Sequence, residues 1–193
     1  WTGFPLIKTK LTMNVSGNAR GGLAPAFVNG VSNNTRNNDY SVRVGFNFTP
    51  VARLIMGLNA RAGLNQIRYT LPNSPDQNIQ NHSLDMSVKW QFVNKFFLES
   101  NFDYTLYRND YFDFRQELPI WNASVRRLIG KKNRMEMRLA AFDLLNRRLA
   151  VRQNGTQNYV TNSVANTLAR YFMLSVSYNL RGYENKLNKN EWW

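Results

Sequence analysis

The sequence predicts an all-β fold, a transmembrane antiparallel up-and-down β-barrel with eight strands in this chain. Three observations predict it. Hydropathy alternates with a period of two along eight segments. The 39 residues that make up the apolar faces of these segments include no charge, and most segments run about 9–11 residues, long enough to cross a bilayer when tilted. The connections between segments alternate between long and short, as outer loops and inner turns do in such barrels.

Each segment shows the alternation in turn. Residues 7–16 set Ile7, Thr9, Leu11, Met13 and Val15 against Lys8, Lys10, Thr12 and Asn14. Residues 39–48 set Tyr40, Val42, Val44, Phe46 and Phe48 against Ser41, Arg43, Gly45 and Asn47. Within 53–69, Leu54, Met56, Leu58, Ala60, Ala62 and Leu64 oppose Ile55, Gly57, Asn59, Arg61 and Gly63. Within 82–92, Leu84, Met86, Val88, Trp90 and Phe92 oppose Asp85, Ser87, Lys89 and Gln91. Within 96–107, Phe96, Leu98, Ser100, Phe102, Tyr104 and Leu106 oppose Phe97, Glu99, Asn101, Asp103 and Thr105.

The next two segments are less clean. In 118–127, Trp121, Ala123 and Val125 oppose Asn122, Ser124 and Arg126. In 134–143, Met135, Met137, Leu139 and Ala141 oppose Glu136, Arg138, Ala140 and Phe142. The last segment, 168–180, places Phe172, Leu174, Val176, Tyr178 and Leu180 opposite Tyr171, Met173, Ser175, Ser177 and Asn179, and a tail follows over 181–193. Successive side chains of a strand point to opposite faces, so each segment has one apolar and one polar side. A soluble sandwich alternates too, with one face on a core, but its strands are usually about 5–6 residues long.

The long connections are 17–38, 70–81, 108–117 and 144–167; the short ones are 49–52, 93–95 and 129–133. With the first connection outside the cell, the last strand runs down and ends in the periplasm. Phe46, Phe48, Trp90, Phe92, Phe96 and Tyr178 then gather at the periplasmic ends, and Tyr40, Tyr104, Trp121 and Phe172 near the outer ends. Two girdles of aromatic rings at the lipid interfaces are expected of a membrane barrel. Lipid offers the backbone no hydrogen-bond partners, so a spanning sheet must close.

Composition sets limits on chemistry. The chain of 193 residues has no Cys and one His, which excludes thiolate and multi-histidine metal sites and a cysteine nucleophile. The net charge of +13 first suggests nucleic acid. Once the charges are placed on strands, that suggestion weakens. Lys8, Lys10, Arg43, Arg61, Asp85, Lys89, Glu99, Asp103, Arg126, Glu136 and Arg138 all fall on polar faces, the expected lumen. Stacking platforms for single strands need aromatics interleaved with basic residues; here they sit on opposite faces. No nucleic-acid partner is expected.

The C-terminal third carries a resemblance. The runs are Leu118-Pro119-Ile120-Trp121-Asn122-Ala123-Ser124-Val125, the turn Gly130-Lys131-Lys132-Asn133, then Phe142-Asp143-Leu144-Leu145-Asn146, and Asn166-Thr167-Leu168-Ala169-Arg170-Tyr171-Phe172-Met173-Leu174. This resembles the end of TonB-dependent-receptor-like outer-membrane barrels of Bacteroidota, over about 118–181. The resemblance implies a larger barrel, usually of 22 strands, with a plug and a TonB-contacting segment upstream. This chain would be its last eight strands. The opening Trp1-Thr2-Gly3-Phe4-Pro5, without Met or leader pattern, fits that expectation.

Candidate sites are few. His82 and Asp85 lie near an outer strand end, where some outer-membrane proteases use such residues; a solvated His beside a lumen Asp is the plainer account. Glu99 and Asp103 share a strand face, as do Glu136 and Arg138. A network of these acids with Lys8, Lys10, Arg43 and Lys89 accounts for them better than catalysis does. Arg126-Arg127 and Lys131-Lys132 flank a turn. No nucleotide, zinc or serine-hydrolase motif occurs. No catalytic residue, cofactor or metal is expected.

The expected setting is the lipid bilayer of a Gram-negative outer membrane, and the expected function is TonB-driven uptake of a nutrient ligand. The long loops would meet the ligand or a surface lipoprotein. Missing barrel strands and a plug, or another chain, would cover the sheet's edges. A stand-alone small barrel with a structural or adhesive role is the alternative. A soluble basic nucleic-acid-binding β-protein is the third reading.

Overall fold

The structure, a computed structural model, describes residues 2–28, 30–71, 74–130, 132–147, 150–155, 160–165 and 168–180. The strands are β1 (Thr2–Ile7), β2 (Leu11–Val28), β3 (Val31–Val51), β4 (Leu54–Tyr69), β5 (Gln77–Val93) and β6 (Phe96–Asn109). They continue with β7 (Phe114–Ile129), β8 (Met135–Phe142), β9 (Ala150–Gly155), β10 (Val160–Ala165) and β11 (Tyr171–Tyr178). Nine of them form one antiparallel sheet in the order β1-β2-β3-β4-β5-β6-β7-β8-β11. β9 and β10 pair as a separate hairpin. Chain order is sheet order throughout, which is up-and-down topology. Among the described residues, β1 and β11 are the two edges and no ladder joins them.

The main sheet therefore holds nine strands where the sequence reading has eight. The segment 7–16 is two strands: β1 ends at Ile7, and Lys8, Thr9 and Lys10 form the turn into β2. Thr9 takes φ 62° there, an uncommon conformation for a threonine. Ile7 faces Leu11 across this turn, so the apolar pattern runs through the reversal unbroken and hides it. Lys8 and Lys10 consequently sit at the turn, not on a strand's polar face.

The supposed long loop 17–38 is strand as well. β2 pairs with β3 from Leu11↔Phe48 to Val28↔Val31 without a break. Gly30, at φ 79°, supplies the tight reversal. The dipeptide Asn29-Gly30 is a strong hairpin signal, although no apolar alternation flanks it. Likewise β5 starts at Gln77, β6 runs to Asn109 and β7 starts at Phe114. The connection 144–167 contains the β9–β10 hairpin. The tail 181–193 lies outside the described residues.

The register confirms one continuous uncharged band. Leu54, Trp90, Leu98, Val125, Leu139 and Leu174 form one cross-strand row, and Met13, Phe46, Leu58, Met86, Phe102 and Trp121 another. Along β4 the band runs from Leu54 to Leu64, ten steps of about 3.4 Å. Tilted by about 40°, that is roughly 25 Å across, the height of an outer-membrane barrel's apolar band. Above it β2 and β3 continue for another nine or so residues as a ribbon.

Burial is inverted relative to a soluble fold. Among the described residues the buried hydrophobic core consists of Ala140 alone. The buried polar residues are Asn33, Gln77, Asn109, Ser124, Asn133 and Asp143. Leu174 is 64 % exposed and Phe172 66 %. A soluble monomer rarely leaves so large an apolar surface in water. The sheet has a wet side and a side that needs an apolar solvent.

Candidate functional site

The polar face carries three groups of charge. The first joins β6, β7 and β8. Arg126 lies 3.7 Å from Glu99 and 3.4 Å from Glu136, and Arg138 reaches Glu99 at 3.3 Å. Arg138 also donates to the Ser124 hydroxyl at 3.0 Å. The Arg126 guanidinium stacks over Phe97, 4.2 Å from its centroid. The two acids and two arginines balance, and the Arg126 and Glu136 side chains are only 19 % and 16 % exposed. Lys89 stands directly across from Glu99. This is a structural brace on the wet face.

The second group is Asp85 opposite Asp103, with Asn59 on the next strand. Glu99 and Asp103 share a face but lie about 13 Å apart along β6 at four residues' rise, too far to act as a pair. Glu99 is used by the arginines instead. His82 does not pair with Asp85. It sits in the row Ala62, His82, Leu106, on the face opposite to Asp85. The His–Asp combination weighed from the sequence is thus separated by the sheet itself, because three residues apart on a strand means opposite sides.

The third group is Arg43 opposite Arg61, across β3 and β4. They border an open groove of about 750 Å³, together with Arg20, Asp39, Ser41 and Asn65. Gly22 lines the groove, and a Cβ there would meet nothing within 4 Å. Missing side chains are what leave the groove open.

Above the band a buried polar cap ties the outer strand ends together. Asn33 Oδ1 accepts from the backbone amides of Thr70 and Leu71, both at 3.1 Å, and from the Thr70 hydroxyl at 3.3 Å. Asn109 donates to Gln77 at 3.4 Å, and Gln77 to the Tyr69 hydroxyl at 3.4 Å. Arg68 pairs with Asp76 at 3.3 Å and donates to Asn78 at 2.9 Å. Burial, and secondarily the Asp76 carboxylate, push the Tyr69 phenol above its ordinary pKa.

The motif residues at the C-terminal end also meet. Asp143 is buried, with φ 51°, and its carboxylate accepts from the Arg147 amide at 3.1 Å. Asn146 accepts from the Arg170 amide at 3.1 Å, and the Arg170 guanidinium donates to the Leu144 carbonyl at 3.4 Å. The segment after β8 and the segment before β11 thereby clamp the mouth of a long connection. The clamp sets Phe142 opposite Tyr171, with stacked rings 4.7 Å apart.

Comparison with protein families resolves what solvent the apolar side meets. A family model described as "Outer membrane protein beta-barrel family" matches residues 11–178. The chain belongs to the outer membrane protein β-barrel family. Its solved neighbours include "OmpT (in-vitro folded), an outer membrane protein of Vibrio cholerae", at 8 % identity and a TM-score of 0.47. That alignment covers 89 % of this chain and 52 % of the neighbour, so the chain spans about half the neighbour's length. No curated protein matches.

Membership makes the sheet a stretch of barrel wall in a Gram-negative outer membrane. The uncharged rows meet lipid, and the polar face is the lumen side. Trp90, Phe92 and Phe96 cluster at one end of the band with centroids 5.7 and 5.9 Å apart. Phe46 and Phe48 on β3 and Tyr178 on β11 lie toward the same strand ends. Tyr40 and Tyr104 lie toward the other end. Trp121, level by register with Met86, donates its indole N–H to the Ser100 hydroxyl at 2.9 Å, and Phe172 opens β11. Arg127, on the lipid side by register with Phe96 and Met137, stacks over Phe96 at 4.9 Å. Its stem covers apolar surface while its head reaches the interface.

Proposed function

We propose that the chain forms part of the wall of an outer-membrane transporter that takes up a nutrient ligand, energised through TonB. The observation that carries this reading is the groove at Arg43 and Arg61. A small closed barrel of about eight strands fills its interior with side chains. Here the polar face keeps about 750 Å³ open beside charged residues, which suits a wider lumen. The two unpaired edges fit it as well: β1 and β11 must either close on each other or pair with strands from outside this chain, and a wider barrel takes the second course. The TonB component is supported by the Asp143–Asn146 and Asn166–Leu174 resemblance, whose residues clamp together at Arg170. The chain has no catalytic role in this reading, and a plug and a surface lipoprotein are its expected partners.

The competing role is a stand-alone barrel that anchors or adheres. The tall β2–β3 ribbon favours it, since such a ribbon presents backbone and Asn side chains well above the lipid. The test is uptake of a panel of labelled nutrients by cells with and without the gene, repeated after an uncoupler dissipates the proton-motive force. Transport predicts that deletion abolishes uptake of at least one solute and that the uncoupler abolishes the same uptake. Unchanged uptake across the panel with lost surface adhesion supports the stand-alone role and overturns the transport reading.

A further inference from the structure

We propose that Arg43 and Arg61, assisted by Arg20, form a subsite on the polar face for an oxyanion, the carboxylate or phosphate of a passing solute. The inference deepens the transport reading and names the ligand chemistry of its groove. It starts from a contrast. On the same polar face, Arg126 rests on Glu99 and Glu136, and Arg138 on Glu99. Arg43 and Arg61 have no described carboxylate within ion-pair distance. Yet they stand directly opposite each other on neighbouring strands, where Cβ atoms lie about 5 Å apart and like charges repel.

An anion bridging two guanidinium forks removes that repulsion and uses their planar donor geometry. The surroundings suit it. Arg20 lies on the same face of β2, four residues beyond Ser16, the partner of Arg43. The groove's one lining carboxylate, Asp39, sits opposite Arg20 rather than beside the pair. Three arginines against one acid leave the lining positive. Ser41 and Asn65 add neutral hydrogen-bonding groups for the uncharged part of a solute. The open space over Gly22 admits it.

The test is calorimetric titration of inorganic phosphate, and separately of acetate, into the full-length protein folded in detergent at low ionic strength. The wild type binds at least one of the two, and whichever binds tighter identifies the oxyanion. The double variant R43Q/R61Q binds at least tenfold more weakly. The charge-preserving R43K/R61K variant recovers part of the affinity, and R115Q, outside the groove, leaves it unchanged. Retained heat-modifiable mobility on gels shows that each variant is folded. Absence of binding of both anions, or binding equally strong in R43Q/R61Q, overturns the subsite. Arg-dependent binding in a protein whose deletion alters no uptake keeps the subsite and overturns the transport reading.

Discussion

A single charge placed on the lipid side measures whether the apolar face meets hydrocarbon. Met86 is the position to use. On β5 the lipid-side positions run from His82 to Phe92, about 34 Å along the strand at about 3.4 Å per residue. At a tilt of about 40° they cover roughly 25 Å of bilayer. Met86 lies within about one residue of the midpoint, and its side chain is exposed. Met86→Arg should therefore cost about 2–4 kcal/mol, roughly a 30- to 700-fold shift toward the unfolded state. Two controls give depth and sidedness. Phe92→Arg, at the band's edge, should cost about 0–1 kcal/mol. Asp85→Arg, one residue away but on the lumen side opposite Asp103, should cost less than about 0.5 kcal/mol, because it exchanges a like-charge pair for an opposite one. The assay is a guanidinium titration in phosphatidylcholine vesicles, followed by tryptophan fluorescence. Equal costs for Met86→Arg and Asp85→Arg would refute the assignment of faces.

Other outcomes follow from the same geometry. In a double-mutant cycle, Glu99→Gln and Arg138→Met should couple by about 0.5–1.5 kcal/mol, above an exposed pair but limited by the partly open Arg138 side chain; no coupling would remove Glu99 from the brace. Asn33→Ala leaves the Leu71 amide without its acceptor, while the Thr70 amide keeps the Asn34 carbonyl at 3.2 Å; the cost is about 1–3 kcal/mol, and proteolysis within 70–76 should accelerate. The raised Tyr69 phenol makes the cap strongest below the ordinary tyrosine range and weaker as pH climbs through the raised folded value; the same proteolysis should quicken there, and Tyr69→Phe should abolish the alkaline step. Gly57→Ala puts a Cβ 2.7 Å from the Ser87 hydroxyl oxygen. The clash is with a rotatable side chain, so Gly57→Ala/Ser87→Ala should restore whatever stability Gly57→Ala loses.

The C-terminal clamp shows why part of the site was readable. Asp143, Asn146 and Arg170 stand in the runs Phe142–Asn146 and Asn166–Leu174 that carry the family resemblance, and no alternation or spacing singles them out. Their function as a clamp needed the fold, since Asn146 and Arg170 are 24 residues apart and meet only once β8 and β11 pair. His82 and Asp85 show the opposite case. They are near in sequence, which invited a pairing, and strand geometry then divides them between lipid and lumen.

The sequence by itself determined the fold class, the two faces and the ends of most strands at the short turns. A strand's period is local, so Leu84, Met86 and Val88 declare their common side without reference to any neighbour. Strand number and partners were decided by tertiary structure. The Lys8-Thr9-Lys10 reversal carries no Gly or Pro, and the Asn- and Gly-rich ribbon of β2 and β3 is held by backbone pairing, which leaves no hydropathy signal. Register is likewise a property of two strands at once. It set Glu99 beside Arg126 and Arg138, and it set Arg43 opposite Arg61 with an open groove beside them, where sequence order offered only a scatter of charges on one face.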